Sequence, residues 1–154
     1  MAKNIYVSGE SGISLNKLLI HKLLSQLKKD LGITIVSLPV NFVHGDSIHE
    51  INKSYLNHDF TTDIITFNYS GDNRHLDGEI FISIEDAAEN AEKFNCSLDN
   101  ELVRLIVHGI LHLMGFDDTT VQAKKIMKKE EDRLTNHFEK LTQEDNLIYD
   151  SKNC

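Results

Sequence analysis

The chain has 154 residues and a formal net charge of −8, with 40% hydrophobic and 26% charged residues. This length suffices for one domain with its own core, so we expect a single domain over residues 1–154. The longest apolar runs are too short to cross a bilayer, and an acidic chain does not bind nucleic acid through its overall charge. The first residues lack the apolar stretch of a signal peptide, and two cysteines predict no disulfide framework, so we expect a cytoplasmic protein.

The first third of the chain predicts a helix, a strand and a second helix. Leucines repeat at helical spacing between Ser14, a favourable N-cap, and Gly32, where the helix is expected to end. Residues 33–43 are rich in Ile and Val and predict a strand, in which Pro39 indicates an edge or a break. Asp46 is a suitable cap for the second helix.

The rest of the chain continues this alternation. Short strands are predicted over residues 63–67 and 79–84, and helices over 85–94, 98–114 and about 120–137. We therefore expect a mixed α/β (α+β) fold, in which a small mixed sheet packs with several helices.

The helix predicted over residues 98–114 carries the most informative motif of the chain, HGILHLMGFDD, at positions 108–118. This helix is apolar nearly all round, which is typical of a buried helix, so its histidines need polar partners. His108 and His112 lie four residues apart and therefore on one helix face. Gly115 stops the helix, and the following turn can bring Asp118 back toward the two imidazoles.

Two histidines and one carboxylate provide three ligands for a single divalent cation and leave a fourth position for water. Zinc sites open in this way are associated with catalysis, so we predict one Zn²⁺ bound by His108, His112 and Asp118 in a cleft at the end of the buried helix. The alternative is a pair of core histidines, which the ligand spacing disfavours. Metzincin peptidases share the spacing but carry a glutamate, their general base, where this chain has Gly109.

Two further segments accompany the histidine motif. INKSYLNHDFTTDIITF, over residues 51–67, is similar to the pattern LNxxYRxxDxPTDVLSF, and GEIFIS, over residues 78–83, is similar to GDIxIs. Since HGILHLMGFDD also looks like HGxLHLxGYDH, the chain resembles the YbeY family of bacterial metal-dependent endoribonucleases over roughly residues 33–135. The resemblance implies a zinc ion, cleavage of single-stranded RNA, and a role in 16S rRNA maturation and ribosome quality control. It implies RNA and the ribosome as partners, and neither DNA nor a membrane.

Two residues depart from the family pattern. Asp118 stands where the family has its third histidine; a carboxylate oxygen is an accepted zinc ligand and also suits harder ions such as Mn²⁺. Leu56 stands where the family has an arginine, whose fork of donors suits phosphate binding. Beside the endoribonuclease, two alternatives are therefore kept: a metallopeptidase-like hydrolase, and a ribosome-associated factor whose metal mainly stabilises the fold.

Further candidate residues follow the histidines. Asp117 either accepts a proton from metal-bound water, as a catalytic residue, or caps the following turn. The last helix carries two i,i+4 pairs of lysines, which are Lys124, Lys125, Lys128 and Lys129. These lysines either hold RNA phosphates near the metal or form a solvated face, balanced by the acidic run over residues 130–132.

Overall fold

The computed structural model describes the backbone of residues 3–58, 61–144 and 146–149, and the side chains of all of these except 140–144 and 149. Its elements in chain order are β1 (Ile5–Gly9), β2 (Ser14–Leu15), α1 (Lys17–Leu31), β3 (Thr34–Val43), α2 (Gly45–Leu56), β4 (Ile64–Asn68), β5 (His75–Ser83), α3 (Ile84–Lys93), α4 (Leu98–Leu113), α5 (Val121–Glu144) and β6 (Ile148–Tyr149). The predicted mixed α/β fold is confirmed. Among the described residues, no helix has the length and apolar character needed to cross a membrane.

The main sheet has four strands in the order β1-β3-β5-β4. The pairs β1–β3 and β3–β5 are parallel, whereas β4 pairs with β5 antiparallel. Parallel neighbours need a crossover, and α1 makes the one between β1 and β3. The sheet is therefore small and mixed, as the alternating pattern predicts, and β2 and β6 form a separate antiparallel pair.

Strand β3 lies between β1 and β5, so the expectation of an edge at Pro39 is wrong, whereas the alternative, a break, agrees with an interruption of the β3–β5 pairing at this residue. Pro39 is aligned with Tyr6 of β1, while β3 and β5 are paired up to Ser37 and again from Val40. A proline has no N–H to donate, and here it falls in the interval where the β5 ladder is not paired. The strand therefore tolerates a proline at its centre.

Helix α1 begins later than predicted, because Asn16 rather than Ser14 is its N-cap. The Asn16 side-chain oxygen accepts the N–H of Leu19 at 3.2 Å, while Ser14 lies in β2, opposite Tyr149. Sequence preference does not distinguish Ser from Asn at such a position, and the pairing of β2 with β6 decides between them. The other end is as predicted: Gly32 closes the helix with φ 63°.

Helix α4 is the central element of the core and contacts β4, β5, α3 and α5. Ser97 caps it as predicted, accepting the N–H of Asn100 at 3.0 Å. It approaches the sheet closely at Gly109, where an added Cβ would lie 3.0 Å from Ile80 Cδ1 and 3.1 Å from Ile64 Cδ1. The helix ends at Leu113, and Gly115 turns the chain with φ 99°. This packing brings the histidine-bearing end of a buried helix to the surface.

Candidate metal centre

The two predicted histidine ligands lie together at the end of α4. Their rings are parallel within 7° and their centroids are 6.3 Å apart. The His108 side chain is 29% exposed, and His112 is exposed. The i,i+4 spacing thus produces the shared helix face that the sequence predicts.

A carboxylate from α5 holds the His108 ring. Nδ1 of His108 lies 2.8 Å from Oε2 of Glu131. With Nδ1 donating to this carboxylate, the neutral ring keeps its lone pair on Nε2, which is the usual arrangement of a histidine metal ligand. The hydrogen bond to Glu131 raises the pKa of His108 above its ordinary value, burial opposes the rise, and the charges of Glu131, Asp63 and Asp118 add to it.

Arg104, one turn before His108 on α4, fixes the same carboxylate. Its Nη1 lies 2.9 Å from Oε1 of Glu131 and 3.2 Å from Oδ1 of Asp132. Glu131 is buried, so it does not belong to the solvated acidic face that the charge run predicts. Glu131 lies one α5 turn from Met127 and from Leu134, which are both buried. This helical spacing is the sequence signal that predicts a buried position for Glu131.

Asp118 lines a cavity of about 180 Å³ together with His108, Lys124, Lys128 and Glu131. Among the described residues, no three His, Cys, Asp or Glu side chains form a group that could hold a metal ion as placed. The structure therefore brings His108 beside His112 and sets Asp118 on the same cavity as His108. The donor types, with one imidazole already oriented by a carboxylate, suit Zn²⁺.

The Asp117 side chain is hydrogen-bonded to Thr119, two residues further along the chain. Its Oδ1 accepts the N–H of Thr119 at 3.2 Å and the Thr119 hydroxyl at 3.1 Å. This is the turn-capping arrangement that was the alternative to a catalytic role. Its part in proton transfer stays a prediction.

A second cavity, of about 310 Å³, adjoins the first, because His108 and Glu131 line both. It extends between α3, α4 and the start of β4, and its polar lining is Asp63, Asn90, Glu101 and Arg104. Asn90 Nδ2 donates to Asp63 Oδ2 at 2.9 Å and to Glu101 Oε2 at 3.3 Å. Burial raises the pKa of Glu101.

A larger cavity, of about 480 Å³, lies at the N-terminal ends of α2 and α3. Two of its carboxylates are already engaged: Glu85 accepts the N–H of Gly45 at 2.6 Å and bonds the His44 ring at 2.9 Å, and Asp86 accepts the Thr61 hydroxyl at 2.9 Å. The Glu85 bond to Gly45 caps α2, so size alone does not make this cavity the functional site.

Fold and site define an α/β protein that carries paired histidines at the end of a buried helix, beside a carboxylate partner. The endoribonuclease YbeY family model matches residues 8–139. Relatives named endoribonuclease YbeY include one from Chlorobium limicola, 39% identical over 107 residues (70% of this chain and 74% of that protein), and one from Bacteroides fragilis, 46% identical over 92 residues (60% and 66%). The solution structure of a Thermotoga maritima protein is similar with a TM-score of 0.63 and 28% identity, covering 92% of this chain and 96% of that one.

The chain belongs to the endoribonuclease YbeY family. The resemblance drawn from the three sequence motifs is thereby confirmed.

Proposed function

We propose that this protein is a zinc-dependent endoribonuclease that cleaves single-stranded RNA and acts in 16S rRNA maturation and ribosome quality control. Membership of a family of endoribonucleases supports the reaction class and an RNA substrate. The observation that carries the proposal is the His108–His112 pair with Glu131 at 2.8 Å behind the first ring. Such a carboxylate-bound imidazole is the form in which histidine binds a catalytic metal.

His108, His112 and Asp118 are the residues that would hold the zinc ion. When bound, the ion would polarise the scissile phosphate and make a nearby water or hydroxyl more acidic. Glu131 keeps the proton of His108 on Nδ1, so that Nε2 of the neutral ring carries the lone pair that a metal needs. Arg104 in turn fixes Glu131 through Nη1 at 2.9 Å. The chain thus orients one of these residues, His108, before any metal arrives, which lowers the cost of assembling the site.

Lys124 and Lys128 are the cations placed to bind an RNA phosphate. Both line the 180 Å³ cavity with His108, whereas Lys125 and Lys129 do not. Lys128 is 3.3 Å from Asp132, and no described carboxylate forms an ion pair with Lys124. Of the two, Lys124 therefore offers the freer positive charge to a phosphate.

The packing of Gly109 argues against a peptidase of the metzincin kind. A side chain at this position would start 3.0–3.1 Å from Ile80 and Ile64, against the sheet. A glutamate in that place would push a carboxylate into an apolar contact, at a cost of several kcal/mol (roughly 2–7 for an unpaired polar group). The helix therefore excludes the general base that such peptidases need.

Cleavage of a single-stranded RNA by the purified, zinc-loaded protein tests the proposal. His108→Ala should lower the rate at least about tenfold, because loss of a ligand exceeds the effect of losing only its outer partner. His137→Ala, at an exposed α5 histidine that is 3.5 Å from Asp30, is the matched control and should keep the rate. Equal cleavage by His108→Ala and the unaltered protein would indicate a contaminating nuclease and contradict the proposal.

A further inference from the structure

The 310 Å³ cavity beside His108 has the size and position of a substrate pocket. Ligand pockets span roughly 300–1,000 Å³. The cavity meets the candidate metal cavity at His108 and Glu131. A nucleotide whose phosphate lies at the metal would therefore have this cavity within reach of its base.

Phe94 gives the cavity an aromatic wall. It follows the last residue of α3 and is 62% exposed, although large apolar side chains are usually covered. It lines this cavity with Asn90 and Arg104. Unstacked RNA bases are commonly held between aromatic rings or guanidinium planes and side chains that read their edges.

Glu101 supplies an unused acceptor. Its side chain is among the cavity lining, the residue is 2% exposed, and Oε1 has no hydrogen-bond partner. Its nearest cation is Arg104, whose Nε is 3.9 Å from Oε1, beyond hydrogen-bond distance. A buried acceptor without a donor costs free energy, so a ligand that brings an N–H group is stabilised here.

The charged side chains that line the two cavities favour a base in one cavity and a phosphate in the other. Three carboxylates, Asp63, Glu101 and Glu131, line the 310 Å³ cavity with a single guanidinium, Arg104, so this cavity disfavours a phosphate. In the smaller cavity, which shares His108, the cations Lys124 and Lys128 balance Asp118 and Glu131, so a phosphate is better accommodated there. Carboxylates accept from the exocyclic amino group of cytosine, whereas uracil carries a carbonyl oxygen in its place.

We propose that the 310 Å³ cavity binds the nucleobase next to the scissile phosphate, by stacking on Phe94 and by donation of an exocyclic amino group to Glu101, so that cytosine is preferred to uracil. The proposal rests on the proposed endoribonuclease function for its position, and on the cavity itself for its chemistry.

The test compares oligocytidylate with oligouridylate of about 12 nucleotides, a length within the range of single-strand binding sites. Dissociation constants are measured on the chelator-treated full chain, and kcat/KM on the zinc-loaded protein. The unaltered protein should favour oligocytidylate about 5- to 150-fold, the range of one base-edge contact. Equal affinity for the two oligomers would overturn the proposal.

Two variants separate stacking from hydrogen bonding. Phe94→Ala should weaken binding of both oligomers about 5- to 150-fold, since stacking does not depend on the base. Tyr6→Ala, at a 57% exposed aromatic on β1, is the matched control and should bind as the unaltered protein does. Unchanged affinity in Phe94→Ala would overturn the proposal.

Glu101→Gln should abolish the preference between the oligomers, because an amide presents a donor as readily as an acceptor. If this buried variant does not fold, the oligomer pair and Phe94→Ala still decide. A protein that binds oligocytidylate preferentially yet cleaves neither oligomer would contradict the proposed function and support the base pocket.

Discussion

Replacing Glu131 by glutamine perturbs the carboxylate behind the His108 ring. Glu131 bonds Nδ1 of His108 at 2.8 Å and Nη1 of Arg104 at 2.9 Å, and its side chain is 11% exposed. Glutamine keeps the shape and one acceptor but removes the charge. Loss of such an outer partner typically lowers metal affinity about 10- to 100-fold, so we expect the zinc dissociation constant of Glu131→Gln to rise by that factor.

The metal-free protein should also lose stability. A hydrogen bond to a charged group is worth about 1.5–3 kcal/mol. Because Arg104 is 30% exposed and keeps Asp132 at 3.2 Å, we expect a loss of about 2 kcal/mol, which lowers Tm by about 4–8 °C in a chain of this length. The bond raises the pKa of His108, so the part of this loss due to the charged imidazole is largest below about pH 6.5, the unfolded value, and vanishes as pH rises through the folded value.

The assay is competition for zinc between the protein and a chromophoric chelator, with thermal melts of the metal-free protein at acidic and alkaline pH. The matched control is Glu130→Gln, since Glu130 pairs with Arg133 on the surface and such pairs contribute about 0–1 kcal/mol. Unchanged zinc affinity in Glu131→Gln would refute the role given to this carboxylate. An equal fall in both variants would show a general effect of charge instead.

Three further predictions concern other parts of the molecule. Lys124→Gln should raise KM for single-stranded RNA and lower the slope of log affinity against log salt by about 0.7. Lys125→Gln, at a lysine outside the cavity, should leave the slope unchanged. Equal slopes for the two variants would show that Lys124 does not bind a phosphate. The bond to Glu85 raises the pKa of His44, so His44→Gln should destabilise the protein more below about pH 6.5 than in alkaline solution. Urea titrations that give the same loss of unfolding free energy at acidic and alkaline pH would contradict this. Gly78→Ala places a Cβ 2.6 Å from the Phe67 carbonyl oxygen and should lower the free energy of unfolding, measured with urea, by about 1–3 kcal/mol. An unshifted urea midpoint would count against this close approach of β4 to β5.

The sequence predicts well those features that depend on local periodicity. The bounds of α4 and the shared face of His108 and His112 follow from apolar spacing, and Ser97 and Gly32 follow from capping preferences. Features that depend on pairing between distant segments are predicted poorly. The position of Pro39 inside the sheet, rather than at an edge, depends on the pairing of β3 with both β1 and β5, which no local pattern records.

In the candidate site, too, local sequence patterns predict some residues and miss others. The histidine pair is a local motif, but Glu131 lies 23 residues further along the chain, on a helix whose charged face masks it. Charge runs normally indicate solvent, and only the burial of α5 against α4 gives one of these carboxylates a different role. Asp117 follows a local pattern, since its hydrogen bonds to Thr119 are the turn-capping arrangement expected of an aspartate, while its part in proton transfer stays a prediction.

Because Glu131 follows His108 by 23 residues, the two partners of this hydrogen bond are not made at the same time. The histidine helix is synthesised first, and its imidazole acquires a carboxylate only after α5 has left the ribosome and docked. At about 5–20 residues per second, the intervening segment alone takes a second or more to be made. A nascent chain therefore lacks an oriented His108 until α5 has been made and has docked against α4.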